Sequence, residues 1–218
     1  MHPNKLTAKG IFLDLDGTLV DSTAAYIEAA KISFHNLHKE TPPTQTILEI
    51  PRRIEQHQSI NDLTGNCTEQ FMPIYLKAFY AATKKHVKLL PNVAPTLEHL
   101  AKKAKLTLIT MRHVPNQAIR KELDYLGISQ YFNLIVTALD TTKPKPSPEA
   151  LIWCVKTLNL EMRDCIIVGD SVNDMRAGKA AGSCTVAVLS GLYGREELAN
   201  EQPDLMLPDI TLLPKYIE

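Results

Sequence analysis

Ile11-Phe12-Leu13-Asp14-Leu15-Asp16-Gly17-Thr18-Leu19-Val20-Asp21 is the stretch from which this chain can be read, because a wholly apolar run ends abruptly in two carboxylates, Asp14 and Asp16. A strand apolar on both faces is expected in a parallel sheet covered by helices, and ligands of such sheets sit beyond the carboxyl ends of the strands. Gly17 permits a tight path directly after the pair, and Thr18 supplies a hydroxyl donor beside any anion held there. In isolation, an Asp-Gly step signals only a turn. The rest of the chain decides between a turn and a site.

Outward from this stretch, Ser22 predicts a helix cap, and Ile27, Ala30, Phe34 and Leu37 recur at helical spacing up to about residue 39. The pattern stays helical from 41 to 90, through the basic pair Arg52-Arg53 and the run Phe71 to Tyr80, with no strand. Beyond Pro91 strands and helices alternate. Strands are expected at 106–110, 133–137, 165–168, 184–189 and 204–207, with helices at 94–104, 116–126, from Ser147-Pro148 onward, and 172–181. Repeated βα units imply a parallel sheet with right-handed crossovers. The expected fold is α/β, a Rossmann-like core formed by 1–21 and 91–218, interrupted by an all-helical cap at 22–90.

The 24 basic and 24 acidic residues cancel to a formal net charge of +0. No global field then attracts nucleic acid or an anionic membrane, so any anion site must be local. Hydrophobic residues make up 44% of the 218, yet no apolar run approaches the ~20 residues of a membrane span. The first seven residues hold no apolar h-region, which predicts a cytoplasmic protein. Cys67, Cys154, Cys165 and Cys184 lack the paired spacing of zinc or redox sites and are expected to be reduced packing residues. The seven histidines form no i,i+4 metal pair.

Further polar groups follow later strands: Thr110 after the 106–110 run, Lys143 in Lys143-Pro144-Lys145-Pro146-Ser147-Pro148, and Asp170 and Asp174 in Gly169-Asp170-Ser171-Val172-Asn173-Asp174. In a parallel sheet they gather at one edge with Asp14 and Asp16. Carboxylates ~4 Å apart repel by ~4 kcal/mol at an effective dielectric near 20, so the cluster calls for a cation. Oxygen donors without His or Cys favour Mg²⁺, which leaves room for a substrate phosphate. The arrangement suits phosphoryl transfer, with Asp14 attacking phosphorus, Asp16 moving the proton, and Thr110 and Lys143 holding phosphate oxygens.

These segments, Asp14-Leu15-Asp16-Gly17-Thr18, Thr110, Lys143-Pro144 and Gly169 to Asp174, resemble the four ordered motifs of the haloacid dehalogenase (HAD) superfamily. The branch they are most similar to is that of phosphoglycolate phosphatase and β-phosphoglucomutase, with a helical cap. The resemblance implies Asp14 as nucleophile and metal ligand, Asp16 as acid/base giving its backbone carbonyl to Mg²⁺, and Asp170 as a direct metal ligand. It implies Gly17, Thr18, Thr110, Met111 and Lys143 at the phosphoryl group, Met111 through its backbone N–H. Asp174 acts behind these, on a metal-bound water or on Lys143. In the cap, Arg53 and Arg52 are the candidate substrate contacts, since a bidentate Arg suits carboxylate or phosphate.

The expected activity is Mg²⁺-dependent hydrolysis of a small phosphomonoester, phosphoglycolate-like or a sugar phosphate. A phosphomutase of the β-phosphoglucomutase type uses the same residues, and a silent phosphate-binding protein is the non-enzymatic alternative. The expected partner is a small molecule, with no nucleic acid and no membrane. Monomer and homodimer are equally compatible with the sequence.

Overall fold

The computed structural model describes residues 6–218, so Met1 to Lys5 of the N-terminal reading lie outside the described residues. In chain order the elements are β1 (Gly10–Leu13), β2 (Val20–Asp21), α1 (Thr23–Asn36), α2 (Thr44–Glu55), α3 (Asn61–Thr64), α4 (Thr68–His86), β3 (Lys88–Leu89) and α5 (Val93–Ala101). They continue with β4 (Lys105–Ile109), α6 (Asn116–Tyr125), β5 (Phe132–Val136), α7 (Glu149–Leu158), β6 (Cys165–Gly169), α8 (Val172–Ala181), β7 (Cys184–Val188), α9 (Arg195–Asn200) and β8 (Leu205–Leu207).

The chain divides into two compact units, one made of the described residues up to Val20 together with Leu89–Glu218, the other of Asp21–Lys88. The first holds a six-stranded sheet in the order β5-β4-β1-β6-β7-β8. Every neighbouring pair in it is parallel. Strand β1 is central because all four of its residues are buried and apolar or small, and only a strand covered on both faces tolerates that pattern. It pairs with β4 through Ile11 and Leu106, and with β6 through Ile11 and Ile166. The sheet grows away from β1 in both directions, so the residue after Leu13 stands at the point where strand order reverses. Crevices form at such points in open parallel sheets.

Helix α8 shows how local sequence fixes the element beside this point. The Ser171 hydroxyl accepts from the Asp174 amide and the Asp174 carboxylate accepts from the Ser171 amide, a reciprocal cap. Gly182, at φ 80°, ends the helix in the left-handed region. At α7 the structure differs slightly from the sequence reading: Pro148 is the cap and the helix starts at Glu149, although the Ser147 hydroxyl still takes the Glu149 amide at 3.3 Å.

The second unit is helical. Tyr26 stacks on Phe79 with ring centroids 4.9 Å apart, and Phe71 packs against Phe34 and Tyr75 at 5.0 and 5.5 Å. Such pairs add ~0.5–1.5 kcal/mol each beyond the area they bury, and the Tyr26–Phe79 and Phe34–Phe71 pairs join α1 to the 19-residue α4. Two residues of strand were missed between 41 and 90: β3 pairs with β2 in a separate two-stranded sheet. Strands this short carry no readable period. No helix among the described residues is long and apolar enough to cross a membrane.

Candidate active site

Asp14 leaves the end of β1 with its amide bound to the Val168 carbonyl of β6 at 3.0 Å, so the backbone beneath it is locked into the sheet. Its carboxylate meets a lysine. Lys145 Nζ donates to Asp14 Oδ1 at 2.7 Å, to Asp174 Oδ1 at 2.6 Å and to the Ile109 carbonyl at 3.1 Å. Lys145 is only 2% exposed, which a charged lysine sustains only when its donors are matched. Three partners for three ammonium protons meet that condition.

This lysine corrects the sequence reading. Lys143 is exposed, and its backbone amide binds Glu149 at 3.0 Å. Lys145, two residues on, is the residue that reaches Asp14. Both precede a proline, so the dipeptide does not separate them; the available signal was that Lys145 alone adjoins the Ser147-Pro148 step that starts α7.

Asp14, Asp170 and Asp174 are all buried, and one carboxylate oxygen from each lies within 4.8 Å of the others. Among the described residues this is the one group of acidic, histidine or cysteine side chains so arranged. Buried oxygen donors without nitrogen or sulfur fit a hard divalent cation such as Mg²⁺. Asp170 accepts from the Thr18 hydroxyl and from the Leu192 amide at 3.3 Å each, one on each oxygen. Asp174 instead spends Oδ1 on Lys145 and Oδ2 on the Ser171 amide and hydroxyl, at 3.2 and 2.8 Å. Its geometry is that of a residue orienting Lys145.

Glycines make room for this cluster. A Cβ on Gly191 would stand 1.6 Å from Asp170 Oδ2, and one on Gly169 2.1 Å from Asp174 Cγ. Gly17, at φ 81°, has the same constraint, with Asp170 Oδ2 at 2.5 Å.

Thr18 and Gly17 receive partners other than those expected from sequence. Thr18 is fully buried and its hydroxyl turns to Asp170. The Gly17 amide binds the Val20 carbonyl at 2.8 Å and the Thr18 amide reaches Leu15 at 3.4 Å, as the tight turn requires. These groups shape the loop and prop the acidic cluster. Thr110 follows β4 directly, is buried, and accepts the Arg112 amide on its hydroxyl at 3.3 Å. Met111, half-buried, lies between them.

Electrostatics follow from burial. Desolvation pushes the Asp14 carboxyl up to about 8, against the pull of Lys145 and with Asp174 and Asp16 adding to the rise. Burial acts to discharge Lys145, but Asp14 and Asp174 outweigh it and hold the ammonium above its ordinary range.

Asp16 was expected to face the substrate; the structure adds a partner that the sequence reading overlooked. Arg112 grips it with both ends of the guanidinium fork, Nε to Oδ2 at 2.8 Å and Nη2 to Oδ1 at 2.6 Å. The second unit holds Arg52 and Arg53, each already paired. Arg52 Nη1 binds Glu49 at 2.5 Å, while Arg53 Nη1 donates to both Asp62 oxygens at 2.7 and 2.9 Å and to the Ser59 carbonyl at 3.2 Å.

Residues 11–188, from the first strand through β7, match the haloacid dehalogenase-like hydrolase family. The chain belongs to that family. The HAD hydrolase match spans every polar group described above except Gly191 and Leu192. Among similar curated HAD proteins, the phosphoglycolate phosphatase of Vibrio cholerae serotype O1 is 29% identical over 219 residues, covering 96% of each chain. That of Pseudomonas savastanoi pv. phaseolicola is 27% identical over 215 residues, covering 94% of this chain and 78% of its own. A solved haloacid dehalogenase-like protein from Streptococcus pneumoniae superposes with a TM-score of 0.76 at 24% identity, covering 94% of this chain and 95% of its own. The chain is therefore an enzyme, a hydrolase built on the HAD fold.

Proposed function

We propose that this HAD hydrolase is a Mg²⁺-dependent phosphatase that cleaves a small phosphorylated metabolite, phosphoglycolate or a sugar phosphate, through an aspartyl-phosphate on Asp14. The observation that carries the reading is the buried Lys145 bridging Asp14 and Asp174 beside Asp170. A lysine at that place fixes the attacking carboxylate and offers positive charge where phosphoryl oxygens would arrive. The names of the curated relatives point the same way.

In the first step an Asp14 oxygen forms a bond to phosphorus while the ester P–O bond breaks, and the departing oxygen takes a proton from Asp16. In the second, Asp16 removes a proton from water as the water oxygen bonds to phosphorus, releasing inorganic phosphate and restoring Asp14. Proton transfer of this kind contributes roughly 10²–10⁴-fold. Asp14, Asp170 and the Asp16 carbonyl would hold Mg²⁺, whose contribution when bound is to neutralise charge on the phosphate. Asp174 orients Lys145; Thr110 and the Met111 amide, on the loop after β4, would receive the remaining oxygens.

Choice of leaving group is assigned to the helical unit. Arg53 and Arg52 are the proposed contacts, and Arg53 would trade Asp62 for an anion of the substrate. The substrate is a soluble small molecule met in the cytoplasm. Phosphate release from a panel of phosphomonoesters, with phosphoglycolate first, tests the reading. Wild type should be active with Mg²⁺ and silent with chelator, and Asp14→Asn should lose at least ~10³-fold. Full activity in Asp14→Asn would sink the proposal.

A further inference from the structure

Strand β6 separates β7 from β1 in the sheet, yet one side chain joins the loops that follow β7 and β1. The Ser190 hydroxyl donates to the Gly17 carbonyl at 2.7 Å, across 173 positions of sequence. The turn after Asp16 directs its own amides to the Leu15 and Val20 carbonyls. Gly17, at φ 81°, gives its carbonyl to Ser190.

Asp170, which follows β6, stands between the two loops. The Thr18 hydroxyl reaches one of its oxygens from one loop and the Leu192 amide reaches the other oxygen from the second loop. The approach is closest at a pair of glycines: a Cβ on Gly17 would lie 2.9 Å from the Gly191 Cα and 2.5 Å from Asp170 Oδ2. The two backbones thus meet with no side chain between them, and their separation sets the room left for the Asp170 carboxylate. The loop after β7 is anchored at both ends. The Leu189 amide is shared by the Leu207 and Pro208 carbonyls at 3.0 and 3.2 Å, and buried Tyr193 packs with Val172, Met175, Ala187 and Leu198. Of the three residues between these anchors, Ser190, Gly191 and Leu192, only Ser190 has a polar side chain.

We infer that Ser190 is a positioning residue for the divalent cation: its bond to Gly17 clamps the two loops together, holds Asp170 at the spacing a small ion requires, and so favours Mg²⁺ over Ca²⁺. The inference rests on the Mg²⁺-dependent phosphatase reading, in which Asp14, Asp170 and the Asp16 carbonyl hold the ion. Mg²⁺ demands near-ideal octahedral geometry at ~2.0–2.1 Å, whereas Ca²⁺ accepts about 6–8 oxygens at ~2.3–2.6 Å in flexible arrangements. A ligand allowed to drift therefore weakens the smaller ion more. Ser190 acts through Gly17 and Asp170.

The test is calorimetric titration of the whole chain with Mg²⁺ and with Ca²⁺, without substrate. Ser190→Ala should raise the Mg²⁺ Kd about tenfold, the lower end of the range for losing an outer partner of a metal ligand. The Ca²⁺ Kd should rise by less, so the preference for Mg²⁺ falls. Ser190→Thr, which keeps the hydroxyl, should retain the wild-type preference. Ser183→Ala is the structural control: Ser183 also donates to a glycine carbonyl, that of Gly178 at 3.3 Å, but at the other end of β7, and its loss should leave both constants unchanged. Equal weakening of the two ions in Ser190→Ala, no change in either, or the same fall in preference in Ser190→Thr or Ser183→Ala overturns the clamp. The phosphatase reading would survive any of these, since wild-type phosphate release with Mg²⁺ is measured apart from them. A wild type that binds neither ion and releases phosphate in chelator removes the metal-dependent reading and the clamp with it. Should Ser190→Ala fail to fold, Ser190→Cys, whose thiol is a weak donor, takes its place with the same outcomes.

Discussion

Lys145 Nζ lies 2.7 Å from Asp14 Oδ1, joining a loop ahead of α7 to the residue that follows β1 across 131 positions of sequence. The same ammonium holds Asp174, so one side chain ties three segments of the sheet edge together.

Removing it should therefore be costly twice. Lys145→Met leaves Asp14 and Asp174 buried against each other without a cation, which should lower stability by about 3–5 kcal/mol and Tm by roughly 6–20 °C. Activity should fall below about 1% of wild type, as loss of a preorganised electrostatic partner costs ~10²–10³-fold. Lys143→Ala, at an exposed side chain, should stay within about 0.5 kcal/mol of wild type. Thermal melts and phosphate release on the two variants check both statements.

Gly191 gives a steric prediction. Its Cβ would fall 1.6 Å from Asp170 Oδ2, so Gly191→Ala must displace Asp170. Mg²⁺-dependent turnover should drop by about 10–100-fold, the range for losing support of a metal ligand. Gly182→Ala is the control: its φ of 80° is strained for alanine, but nothing lies within 4 Å. A loss of about 1–2 kcal/mol with activity retained is expected there. Calorimetric Mg²⁺ titration separates the two.

Asp14 predicts a dependence on pH. Its carboxyl is pushed up to about 8 by burial, so between about pH 4 and that value the folded metal-free protein binds more protons than the unfolded chain. Stability of the metal-free protein should then fall as pH rises through this window. Mg²⁺ requires the ionised carboxylate, so the gain in Tm from saturating Mg²⁺ should be larger above pH 8 than near pH 6. Melts with and without the ion across this range provide the measurement.

The cysteines offer a chemical probe. All four are free, and burial pushes the Cys154 thiol up to about 12 and Cys165 up to about 11. The thiolate is the reactive form. Native protein treated with a thiol reagent near neutral pH should label the half-buried Cys67 while Cys154 and Cys165 react only after denaturation, which peptide mapping reads directly.

Much of this architecture was legible before any coordinates, for identifiable reasons. Strands buried on both faces, such as Gly10–Leu13 and Cys165–Gly169, appear as unbroken apolar runs. The signals that failed are those in which two sequence positions are locally equivalent or the partner is remote. Lys143 and Lys145 have the same neighbour, and only the path of the loop distinguishes them. Thr18 reads as a donor for an anion, but whether that anion is a phosphate or Asp170, 152 positions away, is not encoded nearby. Arg112 stood beside a motif already singled out at Thr110 and Met111 and was passed over, because its two partners, Asp16 and Glu122, lie 96 and 10 positions away on different elements.

The central place of β1 has a temporal consequence on the ribosome. Strand β1 emerges ahead of both its sheet neighbours, Lys105–Ile109 and Cys165–Gly169, the second of which follows roughly 8–30 s later at ~5–20 residues per second of synthesis. All of Asp21–Lys88, a compact unit by its own contacts, has been translated before either neighbour exists. Asp14 waits for its surroundings, since Lys145, Asp170 and Asp174 are made 131 or more residues after it.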